Sequence, residues 1–221
     1  METQRLISHF VDEGAARPLK HPLYQALLWM TGLLLYLMVF MFFDGFRPNL
    51  MEKLQDLGFI IELLVLCLLG GSASFAAFCL SRPDSFQMSW VKYLPISLVF
   101  VWILTAFIGA RDEIAIRNLL HSITLGQFDC PWHILFFSSV PGIVMFILIR
   151  MGASIRYYWA GFMATLSVTS LAYLFMRLVE DNDNPAHLII WHALPIFLMC
   201  LVGMYAGRYA LKWRLPIQPQ S

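Results

Sequence analysis

Residues 57–80 read LGFIIELLVLCLLGGSASFAAFCL and carry a single charge, Glu62. A helix rises about 1.5 Å per residue, so a run of this length crosses a hydrocarbon layer about 30 Å thick. Apolar runs so long and so poor in charge are not strands of a soluble core. Five further stretches meet or approach the same length: Leu23–Phe43, Ser89–Ala110, Trp132–Arg150, Tyr157–Leu178 and Ala186–Gly207. The composition agrees, with 59% hydrophobic and 13% charged residues, against about 25% charged in ordinary soluble domains. A membrane barrel would show strict alternation in segments of about ten residues, and this sequence has none. The expected fold is therefore all-α: a polytopic integral membrane protein built as a six-transmembrane-helix bundle. Residues 1–22 form an N-terminal segment, 23–207 the membrane domain and 208–221 a C-terminal tail. The first span is longer than the apolar part of a typical signal peptide. FDGFRP after it has no small-residue cleavage pattern, so the span is expected to stay in the mature chain.

Orientation follows from Lys and Arg in the short connections. With six spans, both termini share a side with the 2–3 and 4–5 loops. That side holds Arg5, Arg17, Lys20, Arg82, Lys92, Arg150, Arg156, Arg208, Lys212 and Arg214, against Arg47, Lys53, Arg111, Arg117 and Arg177 on the other. Both termini are thus expected in the cytoplasm. The connections are too short for a soluble catalytic or nucleotide-binding domain, and no phosphate loop, CxxC, HExxH or GxSxG motif occurs. Basic residues are scattered rather than gathered in the stripe that nucleic acid requires. The sequence predicts no enzyme, no bound cofactor and no nucleic-acid partner, and it assigns no oligomeric state.

Polar residues inside the spans are few. Glu62 reads as a carboxylate near the outer interface, reaching toward headgroups or water; its rival role is an ion or proton ligand in a small transporter. His192 beside Trp191 reads as an aromatic-belt anchor. Gly203 and Gly207 form a GxxxG, and Ala160 and Ala164 a second small-residue pair, both expected to pack helices within one bundle.

The corner Phe128-Asp129-Cys130-Pro131-Trp132-His133 places possible metal ligands where span 4 begins. Asp129 ahead of Pro131 is good helix-start chemistry. His121, Glu180, Asp181, Asp183 and His187 add donors on the same side, but their spacing matches no closed structural zinc site; His187 reads as part of a solvated acidic loop, and no metal is assigned. At the N-terminus, Leu6, Ile7, Phe10 and Val11 form one helical stripe. Such a stripe suits either a helix in the headgroup layer or a helix that docks into a groove of a soluble partner.

Several local signatures resemble the bacterial inner-membrane family of negative regulators of sigma F. They are Leu6-Ile7 ahead of prolines, Phe46-Arg47-Pro48-Asn49-Leu50, Arg82-Pro83, Leu125-Gly126 with Cys130, and Leu148 to Ala153. Ala160-Gly161, Tyr173, Glu180-Asp181, Trp191 and Gly203 to Trp213 complete the set. The resemblance implies an anti-sigma factor that holds an extracytoplasmic-function sigma factor at the membrane. It tips the stripe of Leu6, Ile7, Phe10 and Val11 toward partner binding. It also implies that a pair of outer cysteines governs release under heavy-metal or oxidative stress, and Cys130 matches one of them, making it the expected sensing residue. The second would fall just before Glu180, where this chain reads Phe-Met-Arg-Leu-Val and has no cysteine. Glu62 likewise stands where the family frequently has lysine. Cys67, Cys79 and Cys200 lie too deep in their spans for a disulfide to Cys130, leaving a bond between the Cys130 residues of two copies open.

Overall fold

The computed structural model describes residues 20–109, 129–152 and 154–212, together with Gln4 and Ser8. The proposed partner-binding residues Leu6, Ile7, Phe10 and Val11 lie outside the described residues. The elements are α1 (Pro22–Asp44), the one-turn α2 (Leu50–Lys53), α3 (Leu57–Leu80), α4 (Tyr93–Gly109), α5 (Asp129–Arg150) and α6 (Tyr157–Val179). A short α7 (Pro185–His187) then leads through a π-helical segment (Leu188–Ala193) into α8 (Leu194–Ala210). There is no strand among the described residues.

Among the described residues, five helical runs are long and apolar enough to cross a membrane: Pro22–Asp44, Leu57–Leu80, Cys130–Arg150, Tyr157–Val179 and Leu188–Ala210. The expected span at Ser89–Ala110 is different in form. A 3-10 turn over Ser89–Lys92 leads into α4, which has 17 residues. Pro95 explains the start of α4, because a proline in the first helical turn gives up an N–H that would have no intrahelical acceptor.

The centre of the bundle is α6. It is the least hydropathic of the five long helices, at 1.5 against 2.0–2.3, yet 72% of its most apolar window is buried. Small and hydroxyl residues account for both facts. Thr165, Thr169 and Ser170 donate back to the carbonyls of Gly161, Thr165 and Leu166, at 3.1, 2.8 and 2.6 Å. Ser167 instead donates across to Gly70 O of α3 at 2.8 Å. Each buried hydroxyl is thereby satisfied, and none needs a bulky side chain around it.

Glycines set the closest approaches. A Cβ on Gly161 would lie 2.3 Å from Gly203 O, and one on Gly207 would lie 2.3 Å from Tyr157 O. The GxxxG of α8 is therefore an intramolecular seam against α6, as the sequence suggested. Gly152 similarly lets the chain after α5 run against Ser81, whose carbonyl oxygen would be 2.5 Å from an added Cβ.

The helices alternate between two ends. At one end the backbone N–H of Arg47, just past α1, donates to Leu178 O at the close of α6 (3.0 Å). At the other, Ser154 donates to Leu80 O at 3.0 Å, and Arg82 donates to Lys20 O and to Gln25 Oε1. Lys20 and Leu211 both lie at this second end, since the last turn of α8 packs on Tyr157 at the start of α6.

Candidate functional site

The first end of the bundle gathers the chemistry. α6 stops at Val179, and Glu180 turns to extended backbone (φ −83°, ψ 136°). In the loop that follows, Asn184 N donates to Asn182 Oδ1 at 3.1 Å, and Pro185 starts α7 where its missing N–H is no loss. The next helical stretch is wound as a π-helix over Leu188–Ala193. Opposite this corner α5 begins at Asp129, so Pro131 lies inside its first turn rather than ahead of it.

These elements bring four side chains to one point. Cys130 Sγ is 3.4 Å from Glu180 Oε1 and 3.4 Å from His187 Nε2. His187 Nε2 is 3.0 Å from Glu180 Oε1, and His192 Nε2 is 3.3 Å from Glu180 Oε2. The two imidazole Nε2 atoms stand 3.1 Å apart. Both histidines are fully buried, their Nδ1 atoms without a hydrogen-bond partner, while Cys130 and Glu180 are half-buried. Burial alone would raise the Glu180 carboxyl, but its hydrogen bonds to His187 and His192 outweigh this and hold it well below the usual carboxylate range.

A second polar network lies against the first. Glu62 accepts from Tyr173 Oη at 2.9 Å and from Arg177 Nε and Nη2 at 3.1 and 3.0 Å. Asp183 receives Arg47 at 3.0 and 2.8 Å, Lys53 at 2.8 Å and Arg177 at 3.0 Å. Both guanidinium groups also face the Phe59 ring, at 5.5 and 5.2 Å from its centroid. Asp183 would be raised by its partial burial, yet the hydrogen bonds from Arg47 and Lys53 and the charge of Arg177 hold it well below the usual range. The Tyr173 ring, 5.0 Å from that of His192, joins the two networks. Glu62, Tyr173, Arg177 and Asp183 also line one part of a cleft of about 720 Å³ between α3, α4, α6 and α8.

Residues 11–213 match the family model for the negative regulator of sigma F. The chain belongs to the family of negative regulators of sigma F. Its partner is accordingly a sigma factor. No curated protein and no solved structure matches the chain.

Within this family member, the site corrects three readings made from the sequence. Glu62 does not reach for headgroups: Arg177 enters the same level from α6, and each ion supplies the charge that the other needs in a poorly solvated place. His192 is no belt anchor, being fully enclosed between Tyr173, His187 and Glu180. His187 is not part of a solvated loop either, because α7 folds it inward. Cys130 lies at this corner, in contact with Glu180 and His187. His133 stacks on Phe137 and stands outside the four-residue cluster. His121 lies outside the described residues, as does the side chain of Asp129.

The signal that was missed is the spacing of His187 and His192. Five residues along an α-helix turn through about 140° beyond a full circle, which puts the pair on different faces. The i→i+5 winding of a π-helix brings them back to one face, and no residue pattern in Leu188–Ala193 announces it.

Proposed function

We propose that this protein is an anti-sigma factor of the bacterial inner membrane. It holds an extracytoplasmic-function sigma factor at the cytoplasmic face and releases it on an envelope, metal or oxidative signal. The observation that carries the reading is the family match over nearly the whole chain. The position of Cys130 supports the sensing part: its thiol touches a carboxylate and an imidazole at the end of the bundle opposite Lys20 and Leu211. With the termini in the cytoplasm, that thiol faces the envelope and the N-terminal stripe of Leu6, Ile7, Phe10 and Val11 faces the sigma factor. The protein acts by binding and release, with no catalysed reaction. A transporter with Glu62 in its ion path gains no support, because Glu62 is already committed to Tyr173 and Arg177.

The test is capture of the co-expressed sigma factor on the full chain, on a chain lacking residues 1–22, and on Cys130→Ser. Deletion is expected to abolish capture, and retained capture would refute the N-terminal location. Cys130→Ser is expected to keep capture and to lose or blunt release on oxidant or metal challenge. An unchanged response would remove Cys130 from sensing.

A further inference from the structure

We propose that Cys130, Glu180, His187 and His192 form a binding site for one divalent transition-metal ion of the zinc class. The ion would clamp the start of α5 to the corner between α6 and α8. This goes beyond the sigma-factor reading and does not depend on it.

The first argument is geometric. One sulfur, two nitrogens and one oxygen all lie within 4.8 Å of one another, with the closest contacts at 3.0–3.4 Å. Four donors held tetrahedrally at metal bonds of about 2.0–2.3 Å sit roughly 3.3–3.8 Å apart. The observed spread brackets that arrangement, so side-chain shifts of up to about 1 Å would complete it.

The second argument counts protons. The two Nε2 atoms face each other at 3.1 Å, and each also faces an oxygen of Glu180. If both nitrogens carry hydrogen, the pair sets donor against donor. If one is bare, its lone pair points at a carboxylate oxygen. No placement of protons on neutral imidazoles satisfies all three contacts. A cation at the centre does, because it accepts a lone pair from every one of the four groups.

Charge gives the third. Binding would release the Cys130 thiol proton to solvent at the half-buried rim. Thiolate and carboxylate together supply two negative charges, the imidazoles none, and a divalent ion brings the sum to zero. That neutrality suits a site where both histidines are fully buried. The donor set also selects the class of ion. Imidazole and thiolate favour a borderline metal such as Zn²⁺ or Co²⁺ over the oxygen-seeking Mg²⁺ and Ca²⁺.

The backbone supplies the fourth. The π-helical segment spends regular α-helical hydrogen bonding to put His187 and His192 on one face, and single-turn π-helices of this kind are frequent at functional sites.

The experiment is a Co²⁺ titration of the purified, chelator-treated full chain in detergent. The expected result is saturation at one equivalent, with the visible ligand-field bands of four-coordinate cobalt and a near-ultraviolet thiolate-to-cobalt charge-transfer band. Zn²⁺ should displace the cobalt and bleach both. Cys130→Ser should abolish the charge-transfer band, and His187→Gln or His192→Gln should weaken binding on the order of 10–100-fold. Asp181→Asn, altering an exposed neighbour outside the cluster, should bind as the wild type does. A wild-type chain with no saturable cobalt spectrum would overturn the proposal, as would a charge-transfer band that survives in Cys130→Ser. Should a histidine variant fail to fold, those two measurements still decide. Sigma-factor capture is scored separately, so either reading can fail while the other stands.

Discussion

Asp183 shows what one residue can organise, since Arg47, Lys53 and Arg177, from three separate parts of the chain, all converge on its carboxylate. Arg47 is almost completely buried and also donates to Asn49 Oδ1 at 2.7 Å, which explains why an Arg-Pro-Asn segment follows α1. Removing the carboxylate would strand cations in a place with little water, and an uncompensated buried charge is strongly destabilising. The pH dependence follows from the direction of the shift. The Asp183 pKa is lower in the folded chain than the value of about 3.9 expected when unfolded. Its stabilising contribution is therefore present in full above that value and is lost as pH falls through the lower, folded one. Asp183→Asn should melt below the wild type at pH 7 in detergent, and the gap should narrow as pH drops below about 4. Comparing the two chains cancels the parallel titration of Glu180. A gap that stays constant to the lowest pH at which both remain folded would show that Asp183 contributes nothing through its charge.

Among the elements, the seam between α6 and α8 is set by glycine. Gly207→Ala forces a Cβ to within 2.3 Å of the Tyr157 carbonyl oxygen, which belongs to the backbone and cannot swing away, whereas Gly32 in α1 has nothing within 4 Å of the same position. Overpacking of this kind costs about 1–3 kcal/mol, while an open helical glycine gains up to about 1 kcal/mol on becoming alanine. Thermal melts should show Gly207→Ala clearly destabilised and Gly32→Ala unchanged or slightly improved; equal behaviour of the two would sink the seam. This seam was legible beforehand, because small residues at a four-residue spacing have few other uses in an apolar helix. The long apolar runs were legible for a similar reason: hydrocarbon thickness fixes their length. The π-winding ahead of α8 was not, because no residue pattern in Leu188–Ala193 announces it, and of the form of α4 only its start was marked, by Pro95. The Cys130 cluster was half legible. Its thiol stood out by position, but Glu180, His187 and His192 converge on it only through that winding and the inward turn of α7.

For the whole molecule, the decisive question is how many times the chain crosses the bilayer. α4 decides it, since its 17 residues alone rise about 26 Å. The preceding 3-10 turn of 4 residues adds about 8 Å, and together they match a core about 30 Å thick. The packing agrees: Lys92 ahead of α4 lies 4.6 Å from the Trp159 ring centroid near the start of α6, and Trp102 within α4 lies 5.3 Å from Tyr173 near its end. Apolar helices that alternate in this way return Leu211 to the end where Lys20 lies. In the orientation proposed above, the basic residues of the sequence, ten against five, put the end that holds Lys20 and Leu211 in the cytoplasm. Green fluorescent protein fused after Ser221 should accordingly fluoresce, alkaline phosphatase at the same position should be inactive, and phosphatase fused after Asp181 should be active. The inverted pattern would put the Cys130 cluster in the cytoplasm and the N-terminal stripe out of reach of any sigma factor. Phosphatase activity at both positions would mean that the chain does not cross between Asp181 and Ser221.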